Sequence, residues 1–105
     1  MADQLNDTTW IFVIVQDPGK NEHFFGLEDA ETKVSYIPAF RSKEDAQDCL
    51  IHLPTRKGKK YEVQAVMYGD LTRDAFGNDF FVFMLDGEGR ITDKIYPPQS
   101  DAPVH

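Results

Sequence analysis

Cysteine is scarce in this 105-residue chain, which carries a single thiol at Cys49. One cysteine excludes an intramolecular disulfide framework and every metal motif that needs several thiolates, and it fits a reducing compartment. Long apolar runs are also missing, and the polar, acidic N-terminus lacks the basic and apolar regions of a signal peptide. These absences predict a cytoplasmic protein that does not act on membranes.

Positive charge is in the minority, because 11 lysines and arginines stand against 18 acidic residues and leave a net charge of -7. Nucleic acids and anionic lipids are polyanions, and they are repelled over a Debye length of about 8 Å at physiological salt. Aromatic residues are abundant by contrast, with eight Phe, four Tyr and one Trp, which argues against disorder. The length predicts one domain.

Two segments are apolar at consecutive positions, "TWIFVIVQ" from Thr9 to Gln16 and "FFVFML" from Phe80 to Leu85. Such runs are typical of central strands that are covered on both faces. A third segment, Tyr61 to Tyr68, alternates between apolar and polar residues, as a half-buried strand does. Shorter strands are predicted at His23–Glu28, Lys33–Phe40 and Arg90–Ile95.

Helix signals follow two of these strands. Ser42 is a suitable N-cap, and an apolar stripe from Ala46 to Leu53 predicts a helix from Lys43 to Leu53, which Pro54 ends. Asp70 is the predicted N-cap of a shorter second helix, with a stop at Gly77 and Asn78.

The resulting order, β-β-β-α-β-α-β-β, predicts an α+β domain over residues 9–95. Short connections favour a mainly antiparallel sheet of five or six strands with two helices on one face. Residues 1–8 and 96–105 are predicted to be flexible, because the C-terminal segment is rich in proline and small polar residues.

Two helices on one face would leave apolar strand surface uncovered. We therefore predict that sheet curvature, the C-terminal tail or a second chain covers the rest, the last as a homodimer or a protein partner. The candidate contact face consists of Trp10, Phe12, Phe81 and Phe83. Alternatively, the strand aromatics line a pocket for a small molecule, with His23 or His52 as a base.

The run "RKGKK" is the sharpest local concentration of charge. Arg56, Lys57, Lys59 and Lys60 surround Gly58 in an otherwise acidic chain. Such a loop could bind an anion or an acidic protein surface, and nucleic acid is a weaker alternative because no aromatic stacking signature accompanies it. The simplest interpretation is a solvated loop.

No assembled catalytic set is visible. Cys49 lies on the apolar stripe of its helix, the three histidines have no metal-ligand spacing, and "DGEGRITD" departs from the EF-hand pattern at its fifth and sixth positions. Nucleotide-binding and hydrolase motifs are missing, so no metal or cofactor is predicted. The sequence thus favours a non-enzymatic role and leaves an enzymatic one open.

The stretch "YIPAFRSKEDAQDCL" brings a strand to a Pro-Ala-Phe corner and then to a Ser-capped helix. This pattern resembles SseB-type (enhanced serine sensitivity) domains and related small bacterial domains of uncharacterised function, over residues 24–53. The resemblance implies a small cytoplasmic bacterial α+β domain, without agreed catalytic residues to assign here.

Overall fold

The computed structural model describes residues 5–19, 22–55 and 57–96. The α+β class and the predicted order of elements are confirmed, except that the predicted strand His23–Glu28 is two short strands, so the described residues form seven strands. Of the predicted flexible segments 1–8 and 96–105, residues 1–4 and 97–105 lie outside the described residues. In chain order the elements are β1 (Trp10–Gln16), β2 (His23–Phe24), β3 (Leu27–Glu28), β4 (Ser35–Phe40), α1 (Lys43–Leu50), β5 (Tyr61–Met67), α2 (Tyr68–Gly77), β6 (Phe81–Leu85) and β7 (Ile91–Ile95).

The strands form one mixed sheet in which β5, β1, β4, β6 and β7 follow one another across its width. All pairings are antiparallel except β4 with β6. β1 and β4 pair only at Phe12–Phe40 and Val13–Ala39, and beyond that point β2 pairs with β1 and β3 with β4. On this edge of β4, Pro38 lies between the residues that pair with β3 and those that pair with β1. A proline has no N–H to donate, and none is needed at this position.

Both faces of the sheet are buried, and each carries one helix. On one face Ile11 and Val13 of β1 pack in a core with Leu71 and Ala75 of α2. On the other face Ile14 packs in a second core with the α1 residues that the sequence predicted to be buried, Ala46 and Cys49. The prediction of two helices on one face was therefore wrong.

The strand order explains why the helices lie on opposite faces. The chain crosses from β4 over β1 to β5 through α1, and then returns past β1 and β4 to β6 through α2. Crossovers between strands of the same direction are almost always right-handed, so a reversal of direction along the sheet moves the helix to the other face. The two consecutively apolar strands, β1 and β6, thus receive cover from within the chain.

The helix ends agree only partly with the sequence signals. Ser42 caps α1 as predicted, since its Oγ accepts a hydrogen bond from the backbone N–H of Asp45 at 3.1 Å. α1 ends at Leu50, three residues before the predicted end. α2 follows β5 directly, so its N-cap is Met67, and Asp70 lies in its first turn. Neither helix of the described chain is long and apolar enough to cross a membrane.

Candidate functional site

The four residues of the predicted apolar face do not share one exposed surface. Phe83 is fully buried and stacks on the Tyr36 ring with centroids 4.4 Å apart. Phe12 and Phe81 are half-buried in the same core, beneath and beside α1. Only Trp10 is open to solvent, with 57% of its surface exposed.

The basic loop is exposed but partly neutralised. Lys57, Lys59 and Lys60 are exposed, and the Nζ atom of Lys59 lies 3.5 Å from Oδ2 of Asp17. Arg56 lies outside the described residues. The loop therefore offers fewer unpaired cations than its sequence suggests, and its role as an anion or partner site stays a prediction.

A cleft of about 610 Å³ lies between α2 and the sheet. Apolar side chains of three strands form its floor, namely Val15, Ile37 and Val66, and Ala75 of α2 joins them. The strand register accounts for this floor, because Val15 and Val66 both point to the face that α2 covers. Val15, Ile37 and Ala75 are themselves buried, so the half-buried Val66 is the part of this floor that stays accessible.

A second depression of about 510 Å³ adjoins this cleft, and the two share Phe24, Val66 and Asp74. Trp10 and the strand residues Ala65 and Met67 contribute to the lining of the second depression. We call the two depressions together the α2 groove. Its lining includes Trp10, the only tryptophan of the chain.

The rim of the α2 groove is acidic. Asp70 and Asp74 are one helical turn apart on α2, and Glu22 lies on the opposite side. Arg73, the only cation that lines the groove within the described chain, is engaged with Asp70 at 3.2 Å between Nη1 and Oδ1. The Glu22 carboxylate accepts a hydrogen bond from the Gly19 backbone N–H. The groove therefore presents more negative than positive charge.

The candidate nucleophile and bases are not assembled into a catalytic site. Cys49 is fully buried on the α1 side, and burial, reinforced by the Asp86 carboxylate, raises the pKa of its thiol. His52 lies in a different depression, beside Asp45 and Asp86, whereas His23 borders the α2 groove. Within the described ranges no group of three or more His, Cys, Asp or Glu side chains is placed to hold a metal ion.

Sequence reasoning missed the α2 groove because its lining comes from separate elements. Phe24, Gln64 and Asn78 belong to a two-residue strand, an outer strand and a helix end, and no local pattern connects them. Among the groove residues, the sequence singled out Trp10 as a contact residue and His23 as a possible base, but no local pattern connected the two. Comparison of the chain with protein-family models, curated proteins and solved structures found no match.

Proposed function

We propose that this protein is a non-enzymatic interaction module that binds a partner protein in the α2 groove. One observation carries the proposal: the cleft beside α2 adjoins a depression that is lined by the half-buried Val66 and Met67 and by Trp10, which has 57% of its surface exposed. Large exposed aromatic side chains next to apolar depressions are the usual anchors of protein interfaces.

This proposal keeps the interaction role predicted from the sequence but changes the surface. The predicted face contained Phe83 and Phe12, which serve the core beneath α1. The α2 groove instead uses Trp10 with residues of the opposite sheet face, such as Val66. A cytoplasmic location and the resemblance to SseB-type domains belong to the same proposal, and the single buried thiol at Cys49 supports the location.

Binding of a small molecule is the second candidate, and the volume of the first cleft favours it. A cleft of about 610 Å³ falls within the range of roughly 300–1,000 Å³ that ligand sites occupy. His23, Asp74 and Asn78 provide polar groups at its border. A compact ligand would fill this cleft alone, whereas a protein segment would also cover Trp10 in the second depression.

Site-specific photocrosslinking tests the proposal. A photoreactive residue replaces Asn78, which is exposed on the groove rim, and in a control protein it replaces Gln47, which is exposed on α1. We expect one partner protein to be crosslinked from position 78 and not from position 47. The partner is then purified and its dissociation constant is measured by calorimetry.

Two truncations of exposed apolar side chains complete the test. Trp10→Ala removes the proposed anchor, and Ile51→Ala removes a side chain that is 80% exposed at the end of α1. Trp10→Ala should weaken partner binding about tenfold or more, as loss of a hot-spot aromatic does. Equal affinity of wild type and Trp10→Ala, or equal crosslinking from both positions, would refute a partner site in the groove.

A further inference from the structure

The outer edge of β5 is open next to the α2 groove. β5 pairs with β1 over all seven of its residues, and no other strand of the described chain pairs with it. Ala65 and Met67 of β5 line the same depression as Asp70 and Asp74. An unpaired strand edge and the acidic rim of the groove therefore lie side by side.

The register shows which backbone groups of β5 face outward. The N–H of Asp17 donates to the carbonyl of Lys60, and the N–H of Tyr68 donates to the carbonyl of Thr9, at 2.8 Å each. In an antiparallel ladder the directly bonded pairs alternate, so residues 62, 64 and 66 direct their groups to β1. Val63 and Ala65 consequently direct their N–H and C=O groups away from the sheet.

The other outer strand, β7, is protected in ways that β5 is not. Asp93 and Lys94 are exposed on β7, and its pairing with β6 is irregular next to Met84. Charges and bulges of this kind discourage pairing with another strand. On β5 the stretch 63–67 carries no charge, and its seven pairs with β1 follow without a register shift.

Either a strand from a second copy of this chain or a strand from a different protein could pair with this edge, and charge favours the different protein. A second copy of the chain would bring the same acidic rim and a net charge of -7. Its approach would be opposed, whereas a basic segment would be attracted to Asp70 and Asp74.

We propose that an extended, cationic segment of a partner protein adds as a strand to the outer edge of β5 and sets basic side chains against Asp70 and Asp74. Backbone hydrogen bonds to Val63 and Ala65 hold the segment, and every second side chain of the segment, on the sheet face that carries α2, is basic. This inference rests on the proposed function, because it names the chemistry of the partner and the way it binds.

Three synthetic peptides of about ten residues, the length of a long strand, test the inference by calorimetry at low salt. The first alternates lysine and valine, and the second has the same sequence with N-methyl groups on alternate backbone nitrogens, which blocks pairing but keeps the charge. The third alternates glutamate and valine. We expect the first peptide to bind and the second to bind about tenfold more weakly because its backbone hydrogen bonds are lost. The third should not bind.

Protein variants locate the site. Asp70→Asn combined with Asp74→Asn should weaken binding of the lysine peptide about fivefold, and Glu44→Gln combined with Asp48→Asn removes the same charge from α1 as the matched control. Ala65→Pro removes an outward N–H that takes no part in the ladder to β1. It should therefore weaken binding of the lysine peptide while the protein stays folded. Circular dichroism confirms folding of each variant.

Equally tight binding of the N-methylated peptide, equal weakening by the two double variants, or no binding of the lysine peptide would overturn strand addition. The proposed function is judged separately with the crosslinked partner. If that partner loses affinity for Trp10→Ala but not for Ala65→Pro, the groove is the partner site and strand addition is wrong. If neither variant affects the partner, both proposals are wrong.

Discussion

The ring of Phe80 lies over Gly26, so a Cβ atom at position 26 would be only 2.8 Å from Cε2 of the ring. Phe80 borders the α2 groove and packs against the core on that face. Gly26 connects β2 to β3, and the missing side chain lets this connection lie close to the ring. The contact fixes one wall of the groove.

Substitution of Gly26 by alanine should displace the Phe80 ring. The side chain is half-buried, so we expect a loss of about 1 kcal/mol in the free energy of unfolding, at the low end for overpacking. Urea unfolding measures the change, and the same substitution in a Phe80→Leu background should cost less. Gly77→Ala is the control, because a Cβ at position 77 meets nothing within 4 Å. A loss at Gly26 that does not depend on residue 80 would contradict the packing account.

Removal of the α1 cap should destabilise the whole domain. Ser42 Oγ accepts the Asp45 N–H at 3.1 Å, and α1 covers one core through Ala46 and Cys49. We expect Ser42→Ala to lower the free energy of unfolding by about 1 kcal/mol. Ser42→Asp keeps an acceptor at the cap and should retain most of the stability. Chemical denaturation of both variants measures the effect of the cap. Equal losses of unfolding free energy in Ser42→Ala and Ser42→Asp would argue against a stabilising cap at this position.

The Cys49 thiol should be unreactive in the native state. It is fully buried, and burial raises its pKa above the unfolded value of about 8.5. The unfolded state therefore loses its thiol proton at lower pH than the folded state does, and stability falls as the pH rises above the unfolded pKa. Ellman's reagent should react slowly with the folded protein and fast in denaturant. Fast labelling of the folded protein would contradict the burial of Cys49.

Asp86 should contribute to stability only while it is ionised. Its carboxylate accepts the backbone N–H groups of Arg90 and Glu88 at 2.9 Å each and the Arg90 Nε at 3.1 Å. The bond from the Arg90 N–H is the largest of the causes that hold the pKa of Asp86 below its usual value. This contribution is complete above the unfolded pKa of about 3.9 and is lost as the pH falls through the folded pKa.

Asp86→Asn should therefore flatten the acid side of a plot of melting temperature against pH. Scanning calorimetry from neutral pH to about pH 2 measures this slope. Asp48→Asn, a change at an exposed carboxylate of α1, serves as the control. The same slope in wild type and Asp86→Asn would show that the turn bonds do not depend on ionisation.

Local chemistry made most elements predictable from the sequence. Ser42 and the following apolar stripe gave the start and the buried side of α1, and consecutive apolar residues marked β1 and β6 as strands buried on both faces. These signals come from residues that are close together in the sequence, so they can be recognised without knowing the strand order.

The placement of the helices was not predictable in this way. It depends on which strands are neighbours, and in particular on β5 and β6 lying on opposite sides of the β1–β4 pair. The α2 groove depends on the same long-range order, because Phe24 and Val66 meet only through their separate pairings. The missing N–H of Pro38 is a local feature that fits an interrupted ladder, yet it does not show that β2 and β3 pair beyond the interruption.

Hydrogen–deuterium exchange of the complex with the crosslinked partner tests the central claim most directly. We predict that partner binding slows the exchange of backbone amides in β5 and α2, and in the segment around Trp10, and leaves α1 and β7 unchanged. Protection confined to α1 or β7, with β5 and α2 exchanging as in the free protein, would contradict the α2 groove as the partner site.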